Sequence, residues 1–190
     1  MDEEGIRKIV AESVALKQRY FSEQAGEVLR AGRLVAERLR AGGKVLAFGN
    51  GGSAADAQHF SGELVVRFLR ARAAQPALAL TTDPSVLTAT ANDLGYERVF
   101  ARQIEAHGRP GDVAFGISTS GRSQNVVAAL TEARQRGLLT VALTGGDGGL
   151  LAPLADVLLA VPHTDTPRIQ EVHSLVVHLL CEIIEEEATR

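Results

Sequence analysis

The sequence predicts an α/β fold, a doubly wound five-stranded parallel sheet flanked by helices and preceded by an N-terminal helical arm. Three observations lead there. The five runs 45–48, 77–80, 113–117, 139–143 and 157–161 are apolar without alternation, as in strands buried on both faces. Stretches of helical pattern separate them, which favours parallel strands joined by crossover helices. A chain of 190 residues, 45% of them apolar, can bury one full core and leaves little room for a second domain.

Taken in order, Ile6, Ile9, Val10, Val14 and Leu16 recur at helical spacing, and Val28, Leu29, Leu34, Val35 and Leu39 do so again. They predict two N-terminal helices within residues 1–41, stopped by Gly42-Gly43. These precede the α/β core of 44–190 and are not needed to cover the sheet, so they suit oligomerisation. Further helices are expected at 54–68, 85–92, 97–107, 123–135 and 169–187. Aromatic residues are only 4% of the chain, so Ala, Leu and Val must fill the interior.

A net charge of −3 argues against nucleic acid as a partner, because phosphate backbones need a basic surface. The single cysteine, Cys181, cannot form an internal disulfide and reads as a small core residue. The acidic start Met1-Asp2-Glu3-Glu4 is unlike a signal peptide. No apolar stretch approaches the roughly 20 residues that span a bilayer. A cytoplasmic protein without a membrane partner is expected.

Ligands of open α/β sheets bind beyond the carboxyl ends of the strands. The richest such segment is Ser118-Thr119-Ser120-Gly121-Arg122-Ser123, with four hydroxyls before a helix. A helix N-terminus offers free N–H groups and partial positive charge, which suits phosphate. Capping would use one of these hydroxyls and leave three unexplained.

The second segment is Gly49-Asn50-Gly51-Gly52-Ser53-Ala54. It fits the dinucleotide pattern G-x-G-x-x-G/A, but the acidic residue required about 20 positions on is missing from Leu69-Arg70-Ala71-Arg72. The glycines therefore let the backbone approach a smaller ligand, with Asn50 and Ser53 directed at it. On the helix that follows, His59 and Glu63 share a face at i and i+4. That spacing suits two ligands of one metal, an acid–base pair, or a plain surface pair. In the last helix, His178 stands among Leu175, Val176, Val177, Leu179 and Leu180, either as a satisfied core histidine or as a functional one. Glu185-Glu186-Glu187 reads as a solvated end, and Asn92-Asp93 alone as turn residues.

Residues 49–60 with Glu63-Leu64, then Asn92-Asp93-Leu94-Gly95-Tyr96-Glu97, then 118–125, then Arg168-Ile169-Gln170-Glu171 occur in a recognisable order. Together they resemble the signature of bacterial phosphoheptose isomerases, the sedoheptulose 7-phosphate isomerases of the sugar-isomerase-domain (SIS) superfamily. The resemblance covers essentially the whole chain. It implies a homotetramer and a ketose–aldose isomerisation through an enediol, giving D-glycero-D-manno-heptose 7-phosphate early in nucleotide-heptose biosynthesis. It also implies zinc, with His59, Glu63, Gln170 and His178 as ligands. The implied sugar-phosphate site comprises Asn50, Gly51, Gly52, Ser53, Glu63, Asn92, Asp93, Ser118, Thr119, Ser120, Ser123 and Gln170. Glu63 and His178 are the implied base and acid.

Such chemistry needs a base near C1 and C2 and a group that protonates or polarises the oxygens. A metal could instead stabilise the enediolate as a Lewis acid; the roles compete, because a residue bound tightly to metal is a poorer base, and Glu63 is open to being ligand, base or both in turn. Gln170 and His178 are eight residues apart, about 12 Å along a regular helix. Either Gln170 precedes the regular helix, or two subunits supply the pair and the site lies at their interface. Pro167 stands where some relatives carry a substrate-binding Asp, leaving Thr164, Asp165 or Thr166 to take that contact. The alternative is a non-catalytic binding protein resembling the DnaA initiator-associating protein, which would need neither Glu63 nor His178.

Overall fold

The computed structural model describes residues 1–188; the last two residues of the expected domain lie outside them. The chain forms α1 (Glu3–Arg40), β1 (Val45–Gly49), α2 (Gly52–Val65), β2 (Ala77–Ala79), α3 (Pro84–Leu94), α4 (Ala101–His107), β3 (Val113–Ser118), α5 (Gln124–Gln135), β4 (Leu139–Gly145), β5 (Val157–Val161) and α6 (Thr166–Ala188). The five apolar runs are the five strands, all parallel, in the order β2-β1-β3-β4-β5. The chain leaves β1 for one edge and returns to β3 on its other side. The carboxyl ends of β1 and β3 therefore flank the topological switch point, where open α/β sheets take ligands.

Side chains alternate across the sheet. Val45 and Ala47 of β1, with Phe115 and Ile117 of β3, face a core shared with α1, α2 and α6. Leu46 and Phe48 face a second core with Phe100, Ile104, Val126 and Leu130 on the α4–α5 side. The rings of Phe60 and Phe115 meet at 4.8 Å, joining α2 to the sheet. Each such fully buried side chain contributes about 1.5–3 kcal/mol of transfer free energy.

Three expectations are corrected. Residues 3–40 form one helix, not two. Asp2 caps it by accepting from Gly5 N at 2.8 Å, and the interior Gly26 and Gly32 cost only about 1 kcal/mol each. Its later part is not dispensable: Tyr20, Val28, Ala31, Val35 and Leu39 are buried in the core that includes α6. Its beginning leaves Ile6, Val10 and Val14 exposed, four residues apart along one face. The helix expected over 97–107 is broken into a 3₁₀ turn at Tyr96–Arg98 and α4. The break buries Val99 and Phe100 while Tyr96 stays 59% exposed. Finally, α2 stops at Val65 rather than Phe68, because the chain turns there to meet α6. Among the described residues, no helix is long and apolar enough to cross a membrane.

Candidate active site

The two loops flagged in the sequence lie at the ends of β1 and β3, on either side of the switch point. They are bonded to each other. Asn50 Nδ2 donates to Asn125 Oδ1 at 2.9 Å, and Asn125 Nδ2 donates back to Asn50 Oδ1 at 2.8 Å. Tyr96 adds its hydroxyl to Asn50 Oδ1 at 3.1 Å. Asn125 is buried, so this reciprocal amide pair is shielded and fixes one loop against the other.

Neither following helix is capped by a side chain. Gly51 precedes α2 with a φ of 56° and offers no oxygen. Ser123 precedes α5 but is not used as a cap, because its hydroxyl lies 2.9 Å from that of buried Ser118. Two helix N-termini thus open beside the same loop pair, where partial positive charge favours an anion. Gly121 holds the hydroxyl loop in shape. Its φ is 62°, and a Cβ there would collide with the backbone carbonyl of Gly148. Ser120 Oγ accepts from Arg122 N at 3.2 Å, and Thr119 and Ser120 are on the open side of the loop.

Helices α2 and α6 run side by side, and their facing residues form a ladder. At its start, a Cβ on Gly52 would meet the Gln170 amide. One turn on, Ser174 donates to Asp56 Oδ1 at 3.1 Å. One turn further, His178 Nε2 stands 3.3 Å from His59 Nε2, and His59 Nε2 stands 3.2 Å from Glu63 Oε1. The first rungs line a cleft of about 380 Å³ with Pro167 and Glu171. Burial lifts the Asp56 carboxyl above its ordinary range, against the Ser174 hydrogen bond and the attraction of His59 and His178.

The structure therefore brings His59, Glu63 and His178 together within one chain and places Gln170 two helical turns away. Gln170 lies inside α6, which begins at Thr166, so it does not precede the regular helix. Asn92 and Asp93 are exposed at the end of α3 and bonded to each other at 2.7 Å. Tyr96, Asn125, Asp56 and Ser174 are not among the residues singled out from the sequence, although Asp56, Tyr96 and Asn125 sit within stretches that carry the resemblance.

The donor set fits zinc in kind: two imidazole nitrogens and a carboxylate oxygen. Bonds of about 2.0–2.1 Å at tetrahedral angles put ligand atoms about 3.4 Å apart, close to the two edges at 3.2 and 3.3 Å. Protons alone serve the cluster poorly, since a neutral imidazole Nε2 either donates one N–H or turns a lone pair to the carboxylate. Among the described residues no group of three or more His, Cys, Asp or Glu side chains is placed to hold a metal ion, so the fit is one of donor chemistry and two edges alone.

The family model for the SIS domain matches residues 10–145. The chain is 55% identical to the phosphoheptose isomerase of Roseiflexus sp. (strain RS-1) over 173 residues, 91% of this chain and 88% of that protein. The chain belongs to the phosphoheptose isomerase family. The solved phosphoheptose isomerase GmhA from Neisseria gonorrhoeae superposes with a TM-score of 0.91 at 45% identity, covering 97% of this chain and 98% of that one. A phosphoheptose isomerase from Francisella tularensis gives 0.94 at 37% identity, covering 98% and 100%. Both solved phosphoheptose isomerases thus match the fold of this chain along nearly its full length.

Proposed function

We propose that this protein converts sedoheptulose 7-phosphate to D-glycero-D-manno-heptose 7-phosphate, as the names of its relatives suggest, early in the making of nucleotide-activated heptose and in the cytoplasm. The observation that carries the reading is the convergence of His59, Glu63 and His178, two helical turns along α2 and α6 from a phosphate-suited loop pair. Ser118, Thr119, Ser120 and Ser123 with the α5 N-terminus take the phosphate. Asn50, Gly51, Gly52 and Ser53, with Asn92 and Asp93, take the sugar hydroxyls. Glu63 removes the proton from C1 of the ketose and returns one to C2 of the aldose, while His178 moves a proton between the adjacent oxygens at Nε2. His59, Glu63 and His178 would also hold zinc, with Gln170 as the fourth ligand; metal binding and proton transfer compete at Glu63 and at His178 Nε2, so each of these would serve the two roles in turn. When bound, zinc would polarise the sugar oxygens as a Lewis acid.

The two-turn gap between Gln170 and His178 supports a site completed by a second copy of the chain, within a homotetramer. The exposed stripe Ile6, Val10 and Val14 on α1 supports the same assembly, being apolar surface with no cover in a single chain. A purely binding protein has no use for a carboxylate and an imidazole set against each other.

Incubation with sedoheptulose 7-phosphate in heavy water tests the reading. It predicts an aldose product carrying solvent deuterium at C2. Tight binding of the sugar phosphate with no aldose under any metal condition would instead leave a binding protein.

A further inference from the structure

Glu185 does not belong to a solvated helix end. It is 1% exposed, and it accepts hydrogen bonds from Phe68 N, Leu69 N and Arg70 N at 2.7, 2.8 and 2.9 Å. Arg72 Nε donates to Glu185 Oε1, the oxygen that also accepts from Phe68 N, at 3.0 Å, and the side chains of this pair are only 4% and 1% exposed. The rest of the guanidinium is spent on the end of α2. Nη2 donates to Glu63 O at 2.8 Å, and Nη1 donates to Leu64 O at 2.8 Å and to Ala73 O at 2.9 Å. The last carbonyls of a helix have no partner in their own helix. Here two of them, one belonging to Glu63, are satisfied by a residue from the loop that follows.

Glu185 also lies seven residues after His178, so both occupy one face of α6. Phe68, whose N–H Glu185 holds, stacks its ring on His178 at 5.4 Å and 31°. A closed circuit results: His178 to Glu185 along α6, Glu185 to Arg72 across the loop, Arg72 to Glu63 at the end of α2, and Glu63 through His59 back to His178.

We propose that the buried Arg72–Glu185 pair is the positioning device of the reaction, holding the end of α2 that carries Glu63 in fixed relation to the turn of α6 that carries His178. Neither residue touches the reacting atoms; they act through the two that do. The inference rests on the isomerase reading above. It exceeds a stability role because both ends of the circuit terminate on the acid–base pair. Displacements on the scale of 1 Å at such a pair cost about a hundredfold in rate. The hydroxyl loop at the end of β3 takes no part in the circuit, so substrate affinity should be spared.

Arg72→Met, Glu185→Leu, the double variant and Arg72→Lys separate positioning from stability. Each single charge-breaking variant leaves a buried charge without its partner and lowers Tm. The double variant removes both charges but leaves the N–H groups of residues 68–70 and the carbonyls of Glu63 and Leu64 without these partners, so it recovers Tm only in part relative to the single variants. Positioning predicts that kcat in the double variant stays about ten- to a hundredfold below wild type, with KM for sedoheptulose 7-phosphate within about twofold. It also predicts shifted imidazole ¹⁵N resonances for His59 and His178 in the metal-free protein. Recovery of kcat together with Tm, or unmoved imidazole resonances, would overturn it. Arg72→Lys keeps the charges balanced but cannot span Glu63 O, Leu64 O and Glu185 at once. It predicts the same loss of kcat with a Tm above that of Arg72→Met, even if the other variants do not fold, and full activity in it would equally overturn the proposal. Wild-type protein assayed alongside distinguishes the two levels: no turnover there sinks the isomerase reading, whereas turnover undiminished in the variants sinks only the positioning pair.

Discussion

His178 reaches His59 across the interface of two helices that start from different parts of the sheet, Nε2 to Nε2 at 3.3 Å, with the rings edge to face at 85°. The contact depends on α2 and α6 keeping one register along their length. That register begins at Gly52 and Gln170 and passes through Asp56 and Ser174 before reaching the histidines.

Gly52→Ala tests the first rung. A Cβ there would press on the far end of the Gln170 side chain, not on backbone. Alanine suits a helix better than glycine by up to about 1 kcal/mol, so unfolding stability should hold or rise slightly. Turnover should nevertheless fall about tenfold or more as Gln170 is pushed from its place. Denaturant unfolding and steady-state kinetics on the same preparation check both halves.

Ser123→Ala separates ligand binding from helix capping. A serine that caps a helix costs about 1 kcal/mol when lost, but Ser123 makes no cap hydrogen bond and pairs with Ser118 instead. We expect KM to rise about tenfold, with kcat within about twofold of wild type and a stability loss below about 1 kcal/mol. A large loss of stability with unchanged KM would return the residue to an ordinary structural role.

Acid should weaken the fold through His173. This histidine is fully buried and, as the neutral tautomer, gives its Nε2 proton to Thr144 O at 2.9 Å. Burial lowers its pKa from 6.5 to about 4, against the opposing effect of that hydrogen bond. Between those values the unfolded chain binds the proton and the folded one does not, so stability rises with pH. The contribution is complete above pH 6.5 and is lost as pH falls towards 4, amounting to about 3 kcal/mol. Urea unfolding at several pH values across this window should show the decline, and His173→Leu should flatten it. Glu185 adds a second, lower window. Burial raises its carboxyl, but the N–H groups of Phe68, Leu69 and Arg70 and the charge of Arg72 outweigh this and hold it below 4.5, so its contribution is lost only under stronger acid.

The strands were legible because a strand covered on both faces shows a short apolar run without polar alternation. Val113, Phe115 and Ile117 face one core while Ala114 faces the other, yet all are apolar. The loops were legible because Gly51 and Gly121 with their hydroxyl and amide neighbours follow strands directly. The single N-terminal helix was not, since its apolar pattern thins between Leu16 and Val28 and packing by Tyr20 and Phe21 carries it across. Glu185 was misread for a related reason. Three consecutive glutamates near a terminus resemble a solvated end, and only the fold brings the N–H groups of 68–70 and the Arg72 guanidinium to one of them. Asn125 and Tyr96 were hidden because their partner, Asn50, lies 75 and 46 residues away in sequence.

The most direct test of the account is turnover of sedoheptulose 7-phosphate by wild type and by Glu63→Gln, each with and without added zinc. The account predicts aldose from wild type and a loss of about 10²–10⁴-fold in kcat for the variant, with the fold intact because Glu63 Oε1 is paired only with half-buried His59. Undiminished turnover by Glu63→Gln, or none from a folded wild type that binds the sugar phosphate, would contradict it.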